Sequence, residues 1–150
     1  MDRTLIEKKL ESLRRCLPRI REKCPATPER LSQDADAQDI VALNLTRAGQ
    51  LSVDIGAHLI ADADGLAPET MGQTFDSLAS QGLITQALAT RMKRSVGFRN
   101  IAVHHYEAID WAIVHAIVHR HLGDFDVYAH EIGRFLDCEA PDGLGPRLTE

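Results

Sequence analysis

Aromatic residues are scarce in this chain: one Trp, two Tyr and four Phe in 150 residues. Leu, Ile, Val and Ala must build the core, which suits helices packing on helices. No apolar run approaches membrane-spanning length, which excludes a transmembrane helix. The opening MDRTLIEKKLESLRR is charged from its second residue and has no continuous apolar stretch, so it is not expected to act as a signal peptide. Cysteines number three, Cys16, Cys24 and Cys138, without CxxC spacing. A disulfide framework and a zinc-knuckle pattern are thereby excluded, and reduced thiols in the cytoplasm are the expectation. Excess positive charge is lacking too. Seventeen Lys and Arg face 22 Asp and Glu, for a net charge of −5, so nucleic-acid binding would need a local basic patch. Strand-like alternation, internal repeats and low-complexity tracts are also missing.

What is present is helical periodicity. At 44% apolar and 26% charged residues, the chain has the balance of a globular protein with one core. Leu5, Leu10, Leu13, Leu17 and Ile20 recur at helical spacing over residues 3–23, with Pro18 expected to kink or shorten that helix. CPATPERLSQDADAQ reads as a loop with a short turn around Glu29–Leu31. A second long helix is expected over about 36–63, burying Val41, Leu45, Ala48 and Leu59. Asn44, Arg47, Asp54 and His58 share another stripe of it, either solvated or facing a site. A shorter helix over 69–81 is stopped by Gly82. Thr85 can cap the next, through Leu88, Met92, Val96, Ile101 and Val103. Its Gly97 suggests close approach of another backbone. Asp110 can cap a last helix through Ile113, Ile117, Leu122, Phe125, Ile132 and Phe135. The expectation is an all-α bundle of about five helices over 1–138, with a loose tail over 139–150.

VGFRNIAVHHY, residues 96–106, crowds an arginine, an asparagine, two histidines and a tyrosine together. Arg91, Lys93, Arg94 and Arg99 lie in a stretch free of acids, a patch that either attracts RNA or pairs with acids elsewhere in the fold. Arg99 and His104 are five residues apart, about 140° from eclipse on a helix. They can converge only if the helix ends between them or if a second subunit completes the site. Arginine matches phosphate oxygens and histidine exchanges protons near neutrality. Together, without metal, they suffice to activate a ribose 2′-hydroxyl and stabilise the phosphate it attacks.

Arg99-Asn100-Ile101-Ala102-Val103-His104-His105-Tyr106 has the form R-N-x(3)-H-x-Y. It resembles the R-x(4)-H-x-Y motif of the HepT-like toxins, a branch of the HEPN superfamily. LATRMKRSVGFRN and AQDIVALNLTRAGQLSVDIGAHLIA carry the same resemblance, which spans roughly residues 36–135. It implies a homodimeric helical bundle with the site in an interfacial cleft, and metal-independent ribonuclease activity without a cofactor. Arg99 and His104 would be the catalytic pair and Asn100 their support, with Arg91, Lys93 and Arg94 as RNA contacts. It further implies a type VII toxin–antitoxin system, with an MntA-type nucleotidyltransferase antitoxin that transfers AMP to Tyr106.

A second class of reading is a non-catalytic HEPN binding module, in which Arg99 only clamps a phosphate. His105 is an alternative base. His115 and His119 stand four apart, a spacing that can bind metal. No Glu occupies the HExxH position and no cysteine is near in sequence, so packing is the expected role and no metal site is expected.

Overall fold

The computed structural model describes residues 2–62 and 68–139. Residues 140–150 of the expected tail, and Ala63 at the expected end of the second helix, lie outside them. Seven α-helices follow one another among the described residues: α1 (Arg3–Lys23), α2 (Pro28–Gln33), α3 (Ala35–Asp62), α4 (Met71–Ser80), α5 (Gln86–His104), α6 (Trp111–Arg120) and α7 (Gly123–Cys138). A single 3-10 turn (Tyr106–Ala108) joins α5 to α6. No strand occurs among the described residues.

Local chemistry sets most of the helix starts. Side chains of Asp2, Thr27, Thr70 and Thr85 each accept from a backbone N–H in the first turn of α1, α2, α4 and α5. Asp110 accepts from both Ala112 and Ile113 at the head of α6. Each such cap is worth about 1 kcal/mol. Gly82 closes the turn after α4 at φ +80°, a conformation that favours glycine.

α1 packs along α3, the longest helix among the described residues, which α5 and α4 also contact. α7 packs on α1 and α5, while α6 lies on α2. Tyr128 of α7 sits at the centre, fully buried, edge-on to Phe75 with ring centroids 5.7 Å apart. Its hydroxyl donates to the Ser52 carbonyl at 2.8 Å, and burial pushes its pKa up. Gly56 makes room for this junction: a Cβ there would stand 2.5 Å from Thr74 Cγ2.

Three expectations need correction. α1 keeps its expected span, Arg3–Lys23, and Pro18 does not shorten it. Pro18 is exposed, so the carbonyl it leaves without an amide partner can face water, and burial of Leu17 and Ile20 holds the helix on course. The last helix is two, α6 and α7, broken around His121–Leu122 by bonds from Asp124 N–H to the His121 carbonyl and from Phe125 N–H to the Leu122 carbonyl. Val114 and Val118 are buried there, whereas Ile113 is exposed. Among the described residues Gly97 has nothing within 4 Å of a Cβ added to it, and the close backbone contact is instead Gly49 against the Ser95 carbonyl, 3.2 Å from such a Cβ.

Candidate active site

α5 is helical through His104, and His105 caps it. No break separates Arg99 from His104, so the two side chains leave the helix in different directions. Half-buried Arg99 turns toward α3. Its Nε donates to Gln50 Oε1 at 3.1 Å, and its Nη1 to Asn100 Oδ1 at 3.1 Å. Gln50 Nε2 in turn donates to Asp54 Oδ1 at 2.9 Å, and Asp54 faces Lys9 of α1 at 3.7 Å. This chain of contacts fixes the guanidinium by its inner edge. Of its five N–H groups, those on Nη2 meet no protein acceptor among the described residues. His104 is exposed in the last turn of α5. No hydrogen bond links it to Arg99 among the described residues.

A groove of about 710 Å³ opens between α1 and α3 beside this chain of contacts. Arg15, Arg19, Arg47, Asn44, Gln50 and Asp54 supply most of its polar lining. Of the polar stripe on α3, Asn44, Arg47 and Asp54 thus line a groove, while His58 does not. Asn44 is buried, its Nδ2 donating to the Ile40 carbonyl at 2.8 Å. Gln50 belongs both to the groove and to Arg99.

Tyr106 lies in the 3-10 turn after α5 and packs edge-on against Trp111, ring centroids 5.9 Å apart. Its hydroxyl donates to Asp39 Oδ1 at 2.6 Å. Partial burial, then the hydrogen bond to Asp39 and that carboxylate's charge, push the phenol up to about 12. His105 is exposed.

The basic run is largely paired within the fold. Arg91 Nε meets Asp124 at 3.0 Å and Lys93 Nζ meets Asp76 at 2.7 Å. Arg94 Nη1 lies 3.1 Å from His121 Nδ1. Pairing holds the Asp76 carboxyl below its usual range, chiefly through the hydrogen bond from Lys93.

Residues 13–132 match the family described as Ribonuclease HepT-like. The chain belongs to that family. It is 36% identical over 124 residues to the mRNA nuclease HepT of Shewanella oneidensis, covering 83% of this chain and 92% of that protein. It is 25% identical over 132 residues to a tRNA nuclease HepT of Aphanizomenon flos-aquae, covering 88% and 90%. Among solved structures, it is similar to the tri-AMPylated Shewanella oneidensis HEPN toxin in complex with MNT antitoxin. That match has 34% identity and a TM-score of 0.81 over 89% of this chain and 99% of that one.

Within this HepT-like chain, two neighbours of the motif escape sequence reading: Gln50, which anchors Arg99, and Asp39, which holds Tyr106. The helix-two polar stripe points to the groove but includes neither. No local pattern marks Asp39, which lies 67 positions before its partner.

Proposed function

We propose that this chain is the toxin of a type VII toxin–antitoxin pair, a metal-independent endoribonuclease whose active site is completed by a second copy of itself. The observation that carries the dimer is one stripe of α5. Arg94, Gly97, Ile101 and His104 follow at three- and four-residue spacing and so share a face. Among the described residues nothing lies within 4 Å of a Cβ built on Gly97, Ile101 is 45% exposed, and His104 is exposed beside it. An apolar side chain flanked by open glycine is a seat for another helix at close range. Since Arg99 and His104 diverge on one continuous helix, the second copy is the remaining route to convergence.

In that site His104 takes the proton of a ribose 2′-hydroxyl. The 2′ oxygen bonds to the adjacent phosphorus as the bond from phosphorus to the 5′ oxygen breaks, leaving a cyclic phosphate. The departing oxygen takes a proton from solvent. Arg99, held by Gln50 and Asn100, presents its outer N–H groups to the phosphoryl oxygens where charge builds up. The arginines of the groove guide the RNA backbone, and Arg91, Lys93 and Arg94, paired within the fold, join them by exchanging Asp124, Asp76 and His121 for phosphate oxygens. The cytoplasm is where such a substrate and reduced thiols coexist.

Control falls to a nucleotidyltransferase antitoxin that modifies Tyr106. The phenol oxygen attacks the α-phosphorus of ATP, pyrophosphate leaves, and the phenol proton passes to Asp39, its present acceptor. The added AMP brings bulk and negative charge two residues from His104, where it competes with RNA for Arg99. Tyr106→Phe should remain toxic yet escape neutralisation.

Arg99→Ala and His104→Ala are each expected to lower RNA cleavage by the purified protein about 10²- to 10⁴-fold, with thermal melts unchanged. Wild-type protein that binds RNA without cutting it would favour the binding-module reading.

A further inference from the structure

The chain has no cysteine near His115 and His119 in sequence, but the fold brings one to them. Cys24 caps the C-terminus of α1. Its Sγ and one ring nitrogen of each histidine all lie within 4.8 Å of one another. The two imidazoles, one turn apart on α6, have centroids 4.0 Å apart. His115 Nε2 stands 3.0 Å from the Pro25 carbonyl oxygen. A carbonyl only accepts, so Nε2 is the donor here and in the neutral ring the lone pair sits on Nδ1, the nitrogen that would act as ligand. Metal-ligating histidines are oriented in this way, the non-ligating N–H tied to a carbonyl or carboxylate. One corner of chain, Cys24–Pro25, therefore supplies a ligand atom and also sets the tautomer of a second ligand.

We propose that Cys24, His115 and His119 form a three-ligand site for a zinc-class divalent ion, with a remaining position open to solvent. One thiolate and two imidazoles are borderline-soft donors that suit zinc or cobalt and disfavour magnesium and calcium, which want oxygen. Bond lengths of about 2.0–2.3 Å in a tetrahedral zinc site put its ligand atoms roughly 3.3–3.6 Å apart. The three ligand atoms, within 4.8 Å of one another, would need to close by at most about 1.5 Å to reach that spacing. The Cys24 thiol is half-buried, and binding releases its proton to solvent as sulfur bonds to the ion. His119 is exposed, which leaves the ion a way in.

Packing alone explains the cluster less well, because two imidazoles tilted 38° to one another, with His119 exposed, bury little apolar area. The ion would tie the α1–α2 corner to α6. Trp111, His115 and His119 succeed one another at four-residue spacing on that helix, and Trp111 packs against Tyr106. The site thus braces the helix that holds the motif tyrosine, while sharing no residue with the proposed RNase chemistry.

The test uses full-length protein stripped with a chelator and titrated with Co²⁺, then with competing Zn²⁺. The expected result is a thiolate-to-cobalt charge-transfer band with tetrahedral d–d absorption, saturating at a single equivalent and erased by zinc. Cys24→Ser should abolish the charge-transfer band. His119→Ala, at an exposed position, should weaken cobalt binding by more than about 100-fold, since even outer-shell changes cost 10- to 100-fold. Cys138→Ser, an exposed cysteine outside the cluster, should change nothing. Absence of the band in the wild type, its survival in Cys24→Ser, or unchanged affinity in His119→Ala with circular dichroism intact would overturn the site. Activity is not the readout, so failure here leaves the RNase reading untouched.

Discussion

Tyr106 meets a carboxylate where most half-exposed tyrosines meet water. A phenol in ordinary surroundings ionises near 10. Burial, the hydrogen bond to Asp39 and its charge raise that to about 12 in the folded chain. Tyr106 therefore favours the folded state fully below the unfolded-state value, and that contribution is lost as pH climbs through the folded value. Tyrosinate absorbance of the native protein is expected to stay flat through pH 10. Asp39→Asn should bring the Tyr106 transition down toward 10, and an unmoved titration would disconnect the two residues. At this scale the sequence was partly legible. The spacing of Arg99, His104 and Tyr106 stands out, because a motif is local. Their partners do not, because Arg99 and Gln50 are 49 positions apart and only the packing of α5 on α3 joins them. The same holds for Cys24, which the fold carries to α6.

Among elements, periodicity located helices well and their breaks poorly. Val114, Val118, Leu122, Phe125, Ala129, Ile132 and Leu136 are all buried and keep three- or four-residue steps across the junction of α6 and α7. The apolar phase runs through the break, so it could not announce it. The signal available was Gly123, a poor helix former just after the turn. Pro18 is the opposite case: a strong local breaker overruled by the core contacts on either side. Glycines show the same dependence on tertiary context, since Gly56 and Gly97 look alike in sequence. Gly56→Ala would put a Cβ 2.5 Å from Thr74 Cγ2 and 3.0 Å from Leu78 Cδ1, both on buried residues. A loss of about 1–3 kcal/mol is expected in urea unfolding. Thr74→Ser, which removes the offending methyl, should restore part of it in the double variant, and an unaltered midpoint in Gly56→Ala would show that α3 and α4 separate freely.

For the whole molecule, a net charge of −5 makes the surface at large a poor match for RNA, so the proposed cleavage relies on local clusters of cations. Arg15, Arg19 and Arg47 gather in one groove, the first two beside Glu11 and Glu22 of their own helix, while Lys93 and Arg91 are engaged by Asp76 and Asp124. Composition gave the helical class; it could not show which cations would be left facing outward. Nor do the described residues cover the α5 stripe, with Ile101 45% and Val103 50% exposed. Ile101→Asp is expected to leave the fold intact, because the side chain already meets solvent, but to convert dimer to monomer in light scattering and abolish cleavage. A monomeric wild type, or an active monomeric variant, would remove the interface from the mechanism.

The most direct measurement mixes two inactive variants, Arg99→Ala and His104→Ala, under conditions where subunits exchange. If an arginine of one copy serves with the histidine of the other, each mixed dimer regains one intact site of its two. Random pairing then restores roughly a quarter of wild-type RNA cleavage. Mixed dimers that demonstrably form and stay inactive would contradict a site shared between copies.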